Sequence, residues 1–154
     1  MKNYKLLDYV FGISGSLMIL FFILINLVYF YPYNIIDIEC PMIMDEKIVK
    51  LGNIATYSID YNKHYNIPEI ISQQLLVTNG NEVFSTNYAS IYNNLKPGKN
   101  IVKLNVVIPN NTINGQAKLR VTLRYKFFWD FRVIDITKET ENFQIVGATN
   151  VKKK

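Results

Sequence analysis

Cysteine and histidine are almost absent from this sequence, and their scarcity excludes several kinds of site. There is one cysteine, Cys40, and one histidine, His64. A single cysteine cannot close an internal disulfide, and one residue of each type cannot supply the three or four ligands of a zinc site. The acidic residues are scattered, and Asp37 with Glu39 comes nearest to a carboxylate pair. We therefore predict neither a metal site nor a cofactor.

The components of nucleophilic catalysis are missing as well. A catalytic serine or cysteine needs a base within hydrogen-bond distance and a third group that orients the base. No Gly-x-Ser-x-Gly motif surrounds any serine, and the sequence has no glycine-rich loop of the phosphate-binding kind. We predict that the protein is not an enzyme and has no catalytic residues.

Charge is missing from residues 10–31, VFGISGSLMILFFILINLVYFY. At about 1.5 Å per residue, a helix of this length spans a hydrocarbon core of about 30 Å. A cleaved signal peptide has a shorter apolar region followed by small residues, whereas tyrosines such as Tyr29 and Tyr33 end this one. A lipoprotein signal would need a small residue before Cys40, where Glu39 stands. The run predicts an uncleaved transmembrane helix over 10–31.

The distribution of basic residues predicts the orientation of this helix. Lys2 and Lys5 precede the apolar run, and the next basic residue is Lys47. Because basic residues favour the cytoplasmic side, we predict a cytoplasmic N-terminus over 1–9. The rest of the chain is then extracytoplasmic, in a single-pass membrane protein.

Three residues within the predicted span are candidates for helix association. Gly12 and Ser16 have the small-xxx-small spacing that lets two helices approach closely, and Asn26 is a polar residue in an apolar run. The alternative is that Gly12 and Ser16 are merely tolerated small residues and that Asn26 bonds to its own backbone or reaches the interface. The sequence favours this alternative.

Residues 32–147 have the pattern of one β-rich domain. Short segments alternate apolar and polar residues, most clearly from Ala117 to Lys126, and turn signals such as Asn79-Gly80 and Pro97-Gly98 separate them. About seven short strands without a helical pattern predict an immunoglobulin-like antiparallel β-sandwich.

Residues 148–154 form a basic tail that we expect to be disordered. Lys152–Lys154 supply much of the net charge of +5, so the charge gives little support to nucleic-acid binding.

The spacing of turns and strands in the last sixty or so residues resembles that of a known group of proteins. These are small single-span membrane proteins of uncharacterised function, encoded by tailed bacteriophages and some bacteria, with a C-terminal immunoglobulin-like domain. The resemblance implies this fold and a membrane location, and it implies no activity. It rests on Leu95-Lys96-Pro97-Gly98, Ile108-Pro109, Gly115 to Tyr125, Arg132 and Thr140-Glu141-Asn142-Phe143.

Two groups of residues are candidate binding surfaces. Four basic side chains are predicted on the outward face of one strand: Lys118, Arg120, Arg124 and Lys126. They are suited to an anionic polymer, lipid headgroups or an acidic protein, or they pair with acids on neighbouring strands, such as Glu139 or Glu141. The sequence favours pairing.

Four aromatic residues lie close together beside a predicted turn: Phe127, Phe128, Trp129 and Phe131. Aromatic side chains on a loop are good interface anchors, but they also fill the ends of sandwich cores.

These features together predict a membrane-anchored, non-enzymatic binding or scaffolding domain outside the cytoplasmic membrane. Its expected partners are the lipid bilayer and an envelope or virion protein, with an anionic polymer or headgroup as a further candidate. The alternatives are a structural component of a virion or envelope assembly, and an accessory factor that acts on cell-wall polymers during lysis.

Overall fold

The computed structural model describes residues 3–30, 34–38, 42–127, 130 and 132–147, and for residues 3–8 it describes the backbone alone. The chain divides into two compact units between residues 33 and 34. The first contains one helix and the second contains the strands.

Helix α1 (Asn3–Phe30) contains an apolar segment, Tyr9–Phe30, whose 22 residues are enough to cross a membrane. None of the most apolar window of this segment is buried against the rest of the protein. A helix that is apolar on all sides avoids water only in lipid or against other apolar helices. The segment is therefore a candidate membrane-spanning helix, and it starts one residue before the predicted span. Tyr31, the predicted last residue, lies outside the described residues.

The second unit is built from strands of very different lengths. The four longest have 10–13 residues each, β6 and β10 have 6 and 8, and the others have two to four. The strands are β1 (Ile36–Ile38), β2 (Ile43–Met44), β3 (Ile48–Lys50), β4 (Ile54–Lys63), β5 (Glu69–Asn79), β6 (Glu82–Asn87), β7 (Ile91–Asn93), β8 (Gly98–Val107), β9 (Gly115–Phe127), β10 (Arg132–Glu139) and β11 (Phe143–Val146).

These strands form two sheets. In the four-stranded sheet, β4 pairs with β8 on one side and with β1 and β2 on the other. In the seven-stranded sheet, β9 and β5 are the central pair. β10 and β11 lie along the free side of β9, β6 and β7 lie along the free side of β5, and β3 joins β11 in parallel. All other described pairings are antiparallel, apart from one isolated bridge.

The predicted β-sandwich with one N-terminal helix is confirmed, but its strands are more numerous than the predicted seven or so. Along one side of β4, β5 and β9, two shorter strands take the place of one: β1 with β2, β6 with β7, and β10 with β11. The pattern in the sequence separates β10 from β11, but it does not show β2 and β7, because a segment of two or three residues becomes a strand only through its pairing with a longer neighbour.

The core lies between the inward faces of the long strands. The predicted alternation of β9 is confirmed, since Ala117, Leu119, Val121, Leu123 and Tyr125 are all buried. Strands β4, β5 and β8 show the same period of two. Their buried apolar residues include Tyr57, Ile59, Ile71, Leu75, Val77, Leu104 and Val106.

Candidate binding surface

The four predicted basic residues of β9 lie on its outward face, and each forms an ion pair. Lys118 Nζ and Arg120 Nη2 lie 2.6 and 2.8 Å from the Glu139 carboxylate. Arg124 donates two hydrogen bonds of 2.8 Å to Asp135. Lys126 Nζ lies 2.7 Å from Asp130, at the turn that leads to β10. The interpretation as cross-strand pairing is therefore favoured.

The register of the β9–β10 pair explains these contacts. Arg120 stands opposite Glu139, and Arg124 stands opposite Asp135, and directly opposed residues in an antiparallel pair share a face. Glu139 is one of the two partners that we expected from the sequence. Glu141, the other, forms no ion pair within the described part of the chain, and Asp135 takes that role instead.

The ion pairs hold the acidic groups in their charged form. Hydrogen bonds from Lys118 and then Arg120 lower the pKa of Glu139. Hydrogen bonding to Arg124 lowers the pKa of Asp135 and raises the pKa of Arg124. These groups are partly exposed to solvent, so we expect the individual pairs to contribute little to stability.

The ion pairs of β9 form a ladder that runs from Lys118 to Lys126, and its positive and negative charges are not balanced. Arg124 and Lys126 each have a carboxylate of their own, whereas Lys118 and Arg120 share Glu139. One positive charge is therefore in excess at the end of the ladder that contains Lys118 and Arg120.

A polar depression adjoins this end of the ladder, on the outer face of the seven-stranded sheet. Its volume is about 300 Å³, and it lies beside the break between β6 and β7, where the edge of the sheet is incomplete. The lining consists of amide and hydroxyl side chains with one guanidinium and one tyrosine. The residues are Ser72, Gln73, Gln74, Asn87, Tyr88, Ser90, Arg120 and Thr122.

Some of the lining groups already have partners. Ser72 Oγ lies 3.0 Å from Ser90 Oγ, and Thr122 Oγ1 lies 2.9 Å from Thr137 Oγ1. The Tyr88 hydroxyl donates to the Val107 carbonyl at 2.9 Å. Burial raises the pKa of Tyr88 to about 12, so its hydroxyl stays neutral at physiological pH. The sequence does not reveal this depression, because its residues come from β5, β6, β9 and the connection between β6 and β7, whose register is set by the fold.

The predicted aromatic interface is only partly described. Phe127 is 8% exposed and lies on the buried face of β9, so its ring belongs to the core and is not available as a surface anchor. This corrects our expectation for Phe127, and its position follows from the continuation of β9 and its alternation to that residue. Phe128, Trp129 and Phe131 lie outside the described residues.

The polar groups of the helix bond to the helix itself. Ser16 Oγ donates to the Gly12 carbonyl at 2.9 Å, and Asn26 Nδ2 donates to the Phe22 carbonyl at 2.8 Å. The small residues Gly12 and Ser16 line a shallow groove of about 440 Å³ on the helix surface. The Asn26 contact agrees with the alternative in which Asn26 bonds to its own backbone.

A buried polar cluster, which the sequence did not reveal, lies within the sandwich. Glu69 accepts hydrogen bonds from the Tyr61 hydroxyl at 2.5 Å, the Tyr125 hydroxyl at 2.6 Å and Asn93 Nδ2 at 2.8 Å. Lys63 donates to the Leu95 carbonyl at 2.9 Å. Burial lowers the pKa of Lys63, and the nearby Glu69 charge acts in the opposite direction. Glu69 is fully buried and has three donors, so its role is structural.

The lone histidine also has a partner. His64 Nε2 lies 2.7 Å from Asp37 Oδ2, and a hydrogen bond from Asn34 contributes most to lowering the pKa of Asp37. Among the described residues, no three of the histidine, cysteine, aspartate and glutamate side chains form a metal-binding group. His64 and Asp37 are a partly exposed pair, and Asn34 donates a further hydrogen bond of 2.9 Å to Asp37.

Comparisons with known proteins give no family. A scan against family models finds no match, and a search of curated proteins finds no significant one. Among solved structures, the neutral ceramidase from Pseudomonas aeruginosa is similar over 78% of this chain and 20% of its own, at 13% identity and a TM-score of 0.45. An alkylpurine DNA glycosylase from Pseudomonas fluorescens is similar over 75% of this chain and 31% of its own, at 9% identity and a TM-score of 0.46. A sporulation control protein from Bacillus subtilis is similar over 75% of this chain and 50% of its own, at 10% identity and a TM-score of 0.42. This chain therefore spans half or less of each protein's length, and none of the three similarities bears on its function.

Proposed function

We propose that this protein is a single-pass membrane protein that displays a non-enzymatic binding or scaffolding domain outside the cytoplasmic membrane. The N-terminus is cytoplasmic in this proposal, and the β-sandwich is extracytoplasmic. We also propose that it belongs with the small single-span proteins of tailed bacteriophages and bacteria that its sequence resembles. Its partners are the bilayer and a protein of the envelope or virion.

The observation that carries the proposal is an exposed apolar helix joined to a separately folded domain. Within Tyr9–Phe30, the side chains of Met18 and Phe22 are 76% and 68% exposed. Leaving so much apolar surface in water costs about 25 cal/mol per Å², whereas a bilayer removes it from water. The sandwich has its own core, formed by the buried apolar residues of its strands.

Tethering is the mechanism that follows from this organisation. Only residues 31–33 separate the last residue of α1 from the first described residue of the domain. An anchor with so short a connection confines the domain to the membrane surface and raises its effective concentration for partners there. A small domain without catalytic groups then acts by bringing a bound partner to the membrane.

Flotation with liposomes tests whether α1 anchors the protein. The test variant is Ile23→Arg, because an arginine at the centre of a span costs about 2.5–3.5 kcal/mol on insertion scales. The matched control is Ile48→Arg, since Ile48 is also an exposed isoleucine, 58% exposed, but lies in β3.

We expect the wild type and Ile48→Arg to float with the liposomes after alkaline washing, and a large fraction of Ile23→Arg to stay in the dense fractions. Equal loss of flotation in both variants would point to a surface association through the sandwich and would refute the anchor.

A further inference from the structure

The polar depression on the seven-stranded sheet has features of a ligand site. It lies where β7 replaces β6 along the edge of β5, so its floor is formed by the central strands β5 and β9. Its volume of about 300 Å³ is at the lower end of the range of small-molecule pockets, about 300–1,000 Å³. That space is enough for a small polar group.

Hydrogen-bonding capacity is concentrated in one row across the strands. Asn87 stands opposite Gln74, and Gln74 stands opposite Arg120. Neither the Asn87 nor the Gln74 side-chain amide makes a hydrogen bond within the described part of the chain, and each offers a carbonyl acceptor and an NH₂ donor. A pair of neighbouring hydroxyl groups, each able to donate and accept, is the natural complement of such amides.

Arg120 adds a positive charge at the end of this row. Its Nε and Nη2 both donate to Glu139 Oε1, which fixes the plane of the guanidinium group. Nη1 makes no hydrogen bond within the described part of the chain. Because Lys118 and Arg120 share the Glu139 carboxylate, the local charge is positive, and a further anion is favoured there.

From these three observations we propose that the depression binds a carboxylated glycan. The Arg120 guanidinium meets a sugar carboxylate, and Gln74 and Asn87 bond to neighbouring hydroxyl groups of the same or the next ring. Tyr88, whose hydroxyl is held by the Val107 carbonyl, forms a fixed wall. This inference rests on the proposed function, since it names the chemistry of one partner of the displayed domain.

Titration of the full-length protein in detergent micelles tests the proposal. The probe is the acidic trisaccharide trigalacturonate, and maltotriose serves as the neutral probe of equal length. Heteronuclear NMR follows the side-chain amide signals of Gln74 and Asn87. We expect saturable shifts with trigalacturonate, at least about tenfold weaker binding of maltotriose, and a decrease in affinity as salt is added.

Two arginine variants separate a built site from non-specific attraction. Arg120→Gln removes the charge at the depression, whereas Arg124→Gln removes the same charge from the same face of β9 outside it. We expect about a tenfold loss of trigalacturonate affinity for Arg120→Gln and less than a twofold loss for Arg124→Gln. Should Arg120→Gln fail to fold, Asn87→Leu on the exposed edge replaces it, with the same loss expected.

Equal losses in the two arginine variants, no saturation with trigalacturonate, or equal binding of both trisaccharides would overturn the proposal. None of these results would affect the anchor, because the flotation of Ile23→Arg is measured without any glycan. Conversely, binding in micelles with the expected variant pattern would stand even if the wild type failed to float.

Discussion

Glu69 is the residue whose environment departs most from what its chemistry favours. A carboxylate is almost never fully buried unless donors surround it, and here Tyr61, Tyr125 and Asn93 supply them. Nothing in the sequence distinguishes this glutamate from a solvent-exposed one at the start of a strand. The inward position becomes evident only from the burial pattern of β5.

We predict that Glu69→Leu lowers the free energy of unfolding by about 3–5 kcal/mol. This is the typical cost of removing one partner from a buried polar cluster, because the other partners lose their acceptor. Urea unfolding monitored by tryptophan or tyrosine fluorescence measures the change.

Thr78→Leu is the control, since Thr78 is an exposed residue of the same strand. Its unfolding free energy should stay within about 0.5 kcal/mol of wild type. If Glu69→Leu were as stable as this control, the cluster would not contribute to the stability of the sandwich.

At the scale of strands, the pairing of β9 with β10 determines which acidic partners the basic side chains of β9 bind. The alternation of β9 was predicted correctly from its sequence, because inward apolar residues and outward polar or basic residues strictly alternate from Ala117 to Lys126. The identity of the acidic partners was predicted only for Glu139, since the register of a hairpin depends on the conformation of its turn. That turn includes Asp130 with a φ of 70°, a left-handed conformation that the sequence does not reveal.

The ladder predicts a stability that decreases in acid. The folded protein holds the pKa of Asp135 below its ordinary value of 3.8, so the unfolded chain takes up protons first as the pH falls. The stabilisation is complete above the ordinary pKa and is lost as the pH falls towards the lower, folded-state value. We expect Asp135→Asn to reduce the decrease in urea midpoint between about pH 5 and pH 2.

Glu82→Gln is the matched control, because Glu82 forms no ion pair within the described residues. Its acid profile should follow that of the wild type. The difference between Asp135→Asn and wild type should also shrink in high salt, which screens exposed pairs. Parallel acid profiles for wild type and Asp135→Asn at low salt would contradict a role for the Arg124–Asp135 pair.

At the scale of the whole molecule, the division into an apolar helix and a β-sandwich was predictable from the sequence. The uncharged run needs no tertiary information, because its length and composition alone meet the requirement of a bilayer. The polar depression was not predictable, since Asn87, Gln74 and Arg120 are brought together only by strand pairing. Phe127 was misplaced for a related reason, because the end of β9 determines whether it alternates inward.

The proposed function requires that α1 separates the N-terminus and the sandwich onto opposite sides of the membrane. In a Cys40→Ser background, Val83→Cys places a thiol at a site of the sandwich where the native side chain is 70% exposed. Asn3→Cys places one before the apolar segment. The most direct measurement labels both variants with a membrane-impermeant maleimide in bacterial spheroplasts.

We predict that Val83→Cys is labelled in intact spheroplasts and that Asn3→Cys is labelled only after permeabilisation. Labelling of Asn3→Cys alone in intact cells would contradict the proposed orientation. Labelling of neither variant until permeabilisation would place the sandwich in the cytoplasm and contradict its display outside the membrane.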